Sequence, residues 1–140
     1  MSATTLATEA TLLRNPLAKP DHRWPAPDPS VWVFHRRMPA YRATTLYDCP
    51  ELARRYGVGR VLVKAETQRL GLPSFKILGA SWATYRALGD HLGFEPEPWA
   101  NINDLSRRIG YLRPFSLAAA TDGNHGRAVA FMARLLGFGC

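Results

Sequence analysis

The sequence predicts an α/β fold with parallel strand pairing, and three observations carry that expectation. Residues 74–91 and 124–136 repeat apolar side chains at three- and four-residue intervals, as helices with one buried face do. Each stretch follows a short apolar run, residues 60–66 and 115–120, of the kind a buried strand shows. The order strand, helix, strand, helix, without internal repeat or low-complexity tract, is that of βαβ units.

Residues 1–30 read as an irregular lead-in, because Pro16, Pro20, Pro25, Pro27 and Pro29 exclude a regular helix. Val31-Trp32-Val33-Phe34 is expected to form a short strand or an anchor to the core. Residues 50–56 form a short helix, capped by Asp48 or Cys49, with Glu51 in its first turn and Gly57 as its stop. In the strand over 60–66, Val61, Leu62 and Val63 are expected to be buried. The helix over 74–91 follows Pro73, with Ser74 as a plausible cap. Phe75, Leu78, Trp82 and Tyr85 form its apolar stripe, and Gly79, Ala80 and Ala83 offer a flat surface for a sheet. After the turn Glu95-Pro96-Glu97-Pro98, a weaker helix is expected over 103–109 and a buried strand over 115–120. The helix over 124–136 packs through Val129, Met132, Ala133 and Leu136 and stops at Gly137. Gly137-Phe138-Gly139-Cys140 reads as a turn into a further strand, so the chain is expected to be cut inside the fold.

A chain of 140 residues has room for one ordinary domain, and 46% hydrophobic with 21% charged residues is a globular composition. No run approaches the ~18 apolar residues of a membrane span. Residues 1–14 lack the basic and apolar regions of a secretory signal. Two cysteines, Cys49 and Cys140, are too few for a disulfide scaffold, and a cytoplasmic protein is expected. The net charge of +7 would suit a polyanion, but the arginines are dispersed and do not interleave with aromatic residues. Solvated helix faces explain them better, and neither nucleic acid nor membrane is an expected partner.

Two stretches carry chemistry. In Leu72-Pro73-Ser74-Phe75-Lys76, Lys76 falls in a first helical turn, where the helix dipole disfavours an ammonium. Such a position suits an amine that must lose its proton to form a Schiff base. Spacing alone fits a plain surface lysine as well. In Thr121-Asp122-Gly123-Asn124-His125-Gly126, two glycines let the backbone approach a ligand, and the helix start offers N–H groups to a carboxylate or phosphate. Asn124 can donate and accept, which suits a phenolic oxygen. Asp122 fits a base, an ammonium-binding group or a helix cap. His125 fits a loop-stabilising role. The histidines and cysteines lack metal-ligand spacing, and no GxGxxG or P-loop occurs.

Together these stretches, with Lys64-Ala65-Glu66-Thr67-Gln68 before them and Thr44-Thr45-Leu46 near the expected domain start, resemble the fold type II pyridoxal-phosphate enzymes. This is the tryptophan synthase β-like group, with a three-layer αβα fold and a mostly parallel sheet. Arg69-Leu70-Gly71-Leu72 and Asp122-Gly123-Asn124-His125-Gly126-Arg127 are similar to the diaminopropionate ammonia-lyase branch. Ser74 instead follows the serine/threonine dehydratases, the alternative activity. The resemblance implies pyridoxal 5′-phosphate held by Lys76, with Asn124 on its ring oxygen. It implies an amino-acid carboxylate bound by Thr121, Gly123 and His125, and Asp122 as the acid/base or ammonium-recognition group. The implied reaction removes the Cα proton, expels the β-amine and ends in pyruvate and ammonia. Residues 42–140 are then the first part of a catalytic unit, after a lead-in over 1–41. In the family the phosphate cup and the residue facing the pyridine nitrogen lie further along. The isolated chain is therefore expected to be inactive, and the full-length enzyme a homodimer. A basic nucleic-acid-binding module and a non-enzymatic relic are the readings of another class.

Overall fold

The computed structural model describes residues 15–17, 19, 21, 23–121 and 123–140. Its first helix, α1 (Pro29–Arg36), replaces the strand offered for residues 31–34, while Phe34 anchors the segment to the core as the other reading expected. Pro29 initiates the helix instead of breaking it, since a proline at the first position loses no hydrogen bond. The Asp28 carboxylate accepts from Ser30 N at 2.9 Å and caps it. Phe34, His35 and Met38 share the buried side, which is helical and not strand periodicity.

Strands β1 (Leu46–Asp48) and β2 (Leu62–Lys64) flank α2 (Pro50–Tyr56), which ends on Gly57 at φ +63° as expected. Cys49 takes the cap position but makes no side-chain cap bond. The strands pair antiparallel, Tyr47 opposite Val63, and all six residues are exposed. The expected burial of Leu62 and Val63 is thus corrected: the helices of the core pack on one another and leave this ribbon uncovered.

The core is built around α3 (Lys76–Leu92) and α5 (Asn124–Leu136), packed directly on each other. Helix α1 lies against α3, and α4 (Ile102–Arg108) lies against α5. On α3 the buried line is Ile77, Ala80, Ser81, Thr84, Tyr85 and Leu88, one residue round from the expected stripe. Phe75 is exposed, Leu78 and Trp82 are half-buried, and Gly79 and Ala83 face outward. The shift has a physical cause. Helix α3 serves two neighbours, and Trp82 and Tyr85 turn toward α1, where Phe34 lies 5.4 Å and 5.1 Å from their rings. On α5, Ala128, Val129, Met132, Ala133 and Leu136 are buried, as its periodicity predicts.

Helix α4 starts at Ile102, with Asn101 Oδ1 accepting from Asn103 N and Asp104 N at 3.0 and 3.1 Å. A 3-10 turn, Gly110–Leu112, follows it. The strand expected over 115–120 reduces to one parallel bridge, Ser116 with Gly139. Gly139 N donates to Phe115 O at 2.8 Å and Leu117 N to Gly139 O at 2.9 Å, while residues 118–120 are exposed. This bridge makes residues 115–117, α5 and Gly139 a small parallel crossover, the one place among the described residues where the expected pairing forms. Among the described residues no helix is long and apolar enough to cross a membrane.

Candidate active site

Lys76 is the first residue of α3, and its side chain is exposed. Phe75 precedes it in helical backbone without a side-chain cap, while Ser74 Oγ accepts from Lys76 N at 3.3 Å. Ser74 therefore tethers the helix start from two residues upstream. The Lys76 ammonium lies 4.7 Å from the centre of the exposed Phe75 ring. An exposed cation–π contact of this kind is worth about 0.5–1 kcal/mol, so the amine is readily released.

Asn124 opens α5, with Gly123 in extended backbone at φ −168° before it. Thr121 folds over this turn, its Oγ1 accepting from Gly126 N at 3.0 Å. The two glycines of the motif differ in role. A Cβ on Gly126 would stand 2.6 Å from the Thr121 methyl, so packing requires glycine there. A Cβ on Gly123 would meet nothing within 4 Å, so that face is open to a ligand. Gly126 N and Arg127 N are taken by Thr121 Oγ1 and Gly123 O. Among the described residues the N–H groups of Asn124 and His125 have no acceptor, as the first amides of a helix start do not. Asn124 and His125 are exposed. Asp122 lies outside the described residues.

The structure thus places Lys76 and the 121–126 turn at the starts of two helices that pack on each other. The hydrogen bonds of each stretch are local to it. A surface hollow of about 360 Å³ lies elsewhere, lined by Tyr85, Arg86, Gly89 and Glu95 among others. Gly89 is thirteen positions beyond Lys76, roughly 20 Å along α3. That hollow is lined by no lysine, the amine that a Schiff base requires.

Sequence reasoning missed a third group. Arg69 is buried, and its Nε and Nη2 donate to the two Glu66 carboxylate oxygens at 2.7 and 2.6 Å. Thr44 Oγ1 donates to Glu66 Oε1 at 2.6 Å, and Arg69 Nη1 donates to Arg42 O at 2.8 Å. Arg69 holds the Glu66 carboxyl down at about 2, against the opposing effect of burial, with help from the Thr44 hydroxyl. Glu66 and Arg69 both stand in stretches that carry the family resemblance, but their spacing of three does not by itself announce an ion pair, since surface turns show it too.

Comparison with known proteins gives these groups a context. Residues 37–140 match the family described as pyridoxal-phosphate dependent enzyme. The diaminopropionate ammonia-lyase of Escherichia coli K12 is 41% identical over 106 residues, which is 74% of this chain and 25% of that protein. The diaminopropionate ammonia-lyase of Salmonella typhimurium is 36% identical over 111 residues, 76% of this chain and 27% of that protein. The chain spans about a quarter of the length of these curated relatives.

Proposed function

The chain belongs to the pyridoxal-phosphate-dependent enzyme family, and from that premise we propose that it is the lysine-bearing part of an ammonia-lyase converting 2,3-diaminopropionate to pyruvate and ammonia. The observations that carry this reading are an exposed primary amine at the start of α3 and an exposed amide turn at the start of α5, on two helices that pack on each other. These groups fit the cofactor: an amine for its aldehyde, the Asn124 carboxamide for its ring oxygen, and helix-start N–H groups for an anion. The name of the relatives supports the choice of substrate.

In this reading Lys76 Nζ holds the cofactor and Asn124 orients it. When bound, pyridoxal phosphate supplies the electron sink that makes the substrate's Cα–H acidic. The turn of Thr121, Gly123 and His125 receives the substrate carboxylate, which brings the reacting Cα to a fixed place. Asp122 acts as acid/base or holds the substrate ammonium. The Cα–H and Cβ–N bonds break, the Cα proton passes to a base, the protonated β-amine leaves as ammonia, and water hydrolyses the resulting 2-aminoacrylate to pyruvate and a second ammonia.

The finer architecture we propose is the three-layer fold type II arrangement, which the parallel Ser116–Gly139 bridge supports. The working protein is proposed to be a cytoplasmic homodimer, and a polypeptide of these 140 residues alone to lack turnover. Ser74, bound to the Lys76 amide, favours a serine/threonine dehydratase as the second reading. Substrate profiling of the whole working protein separates the two. Pyruvate from 2,3-diaminopropionate is expected. Turnover of serine or threonine without diaminopropionate would replace the lyase by the dehydratase.

A further inference from the structure

We infer that the Glu66–Arg69 ion pair is a positioning device for Lys76: it locks the turn from which α3 starts and so fixes where the amine stands. The inference rests on the reading of Lys76 as the cofactor lysine. Four observations carry it.

The pair is a two-pronged guanidinium–carboxylate contact, 2.7 and 2.6 Å, with Arg69 7% exposed. Such a fork fixes orientation as well as distance, which a lysine's point charge does not. The pair is also anchored outside its own turn. Thr44 Oγ1 donates to Glu66 Oε1 and accepts from Arg69 Nη2 at 3.0 Å, Arg42 O accepts from Arg69 Nη1, and Lys64 Nζ donates to Thr44 O at 2.7 Å. The turn is thereby tied to the segment entering β1.

The turn itself is strained. Arg69 and Leu72 exchange backbone bonds, N to O at 2.8 and 3.0 Å, around Leu70 and Gly71 at φ +52° and +81°. Glycine adopts that region freely, but a leucine does not. Leu70 is 4% exposed and joins the core, so its side chain and the ion pair hold the turn from two sides. Strain of this kind persists only where surroundings over-determine it, and it points to function. Only Pro73, Ser74 and Phe75 separate the turn from Lys76. Pro73 has a fixed φ, and Ser74 Oγ holds the Lys76 amide. A displaced turn therefore displaces the amine.

The test uses the three lysines of the chain, Lys19, Lys64 and Lys76. The protein is treated with pyridoxal phosphate, trapped with borohydride, and the adduct at each lysine is quantified by peptide mass spectrometry. Amide hydrogen exchange over residues 66–76 is measured in parallel. In the unaltered protein Lys76 is expected to dominate. R69K keeps the charge but loses the fork, and is expected to lower the Lys76-to-Lys19 ratio roughly ten- to hundredfold. Exchange at the Arg69 and Leu72 amides should rise with it. If the unaltered protein favours Lys76 and R69K leaves the ratio unchanged, the positioning role is overturned while the reading of Lys76 stands. If the unaltered protein does not favour Lys76, that reading falls and takes the positioning role with it. Should R69K fail to fold, T44V deletes one hydroxyl of the network and is expected to shift the ratio in the same direction. An unchanged ratio in T44V overturns the inference.

Discussion

At Lys76 and Glu66 the chain sets two opposite charges within ten residues and keeps them apart in role. Glu66 is committed to Arg69 and Thr44, while the Lys76 ammonium lies over the face of the exposed Phe75 ring. The commitment has a measurable pH signature. The Glu66 carboxyl falls from 4.5 to about 2 on folding, so the unfolded chain binds its proton first as pH drops. Its contribution to stability is complete above pH 4.5 and disappears as pH falls from there through about 2. E66Q should flatten that part of the acid-unfolding profile and cost about 2 kcal/mol at pH 7 in denaturant melts, since it leaves Arg69 poorly matched. An E66Q profile superimposable on the parent would refute this. Of the residues singled out from sequence, Lys76, Asn124, Thr121, Gly123 and His125 lie at helix starts or beside them. They were legible because caps, glycines and the placement of a charge are local signals. Arg69 was not, because its meaning depends on Arg42 and Thr44, more than twenty positions away.

Helices proved more legible than strands, for a reason visible in particular elements. The periodicity of α5 depends on one buried face, so Val129, Met132 and Leu136 announced themselves. Pro29 misled because proline breaks a helix anywhere but its first turn, and the Asp28 cap decides which case applies. Leu62 and Val63 misled because an apolar run gives no sign of whether another layer covers it. His35, on α1, is buried with Nε2 3.0 Å from Leu78 O; a carbonyl can only accept, so Nε2 carries the hydrogen. Burial holds its pKa below 6.5, so below that pH the unfolded chain binds the proton more readily and the α1–α3 packing weakens. H35Q keeps a donor in place of Nε2–H and should reduce the loss of stability between pH 6.5 and 4.5, above the range in which Glu66 acts; an unchanged slope there would contradict this. At the end of α5, Gly137 has φ +71°, and a Cβ there would stand 2.8 Å from Arg113 Nε. Arg113 Nη2 also donates to Leu136 O at 2.6 Å and to Ser106 O at 2.9 Å, joining the ends of α4 and α5. G137A should cost about 1–3 kcal/mol in thermal or denaturant unfolding, and a neutral result would show that the cap is dispensable.

Taken whole, the molecule pairs a helical core with an open ribbon. Leu46, Tyr47, Leu62 and Val63 are all exposed, as are Leu52, Tyr56 and Val58 nearby. So much apolar surface beside unpaired strand edges favours association. The 140-residue polypeptide alone should therefore show concentration-dependent self-association in sedimentation, and a concentration-independent monomer would contradict that. The functional claim turns on a single side chain. The most direct measurement is the mass of the borohydride-reduced pyridoxyl adduct in protein isolated with its cofactor, mapped to a peptide. The adduct is expected on Lys76 and is expected to disappear in K76A. An adduct on Lys64 or Lys19, or one that survives K76A, would contradict it.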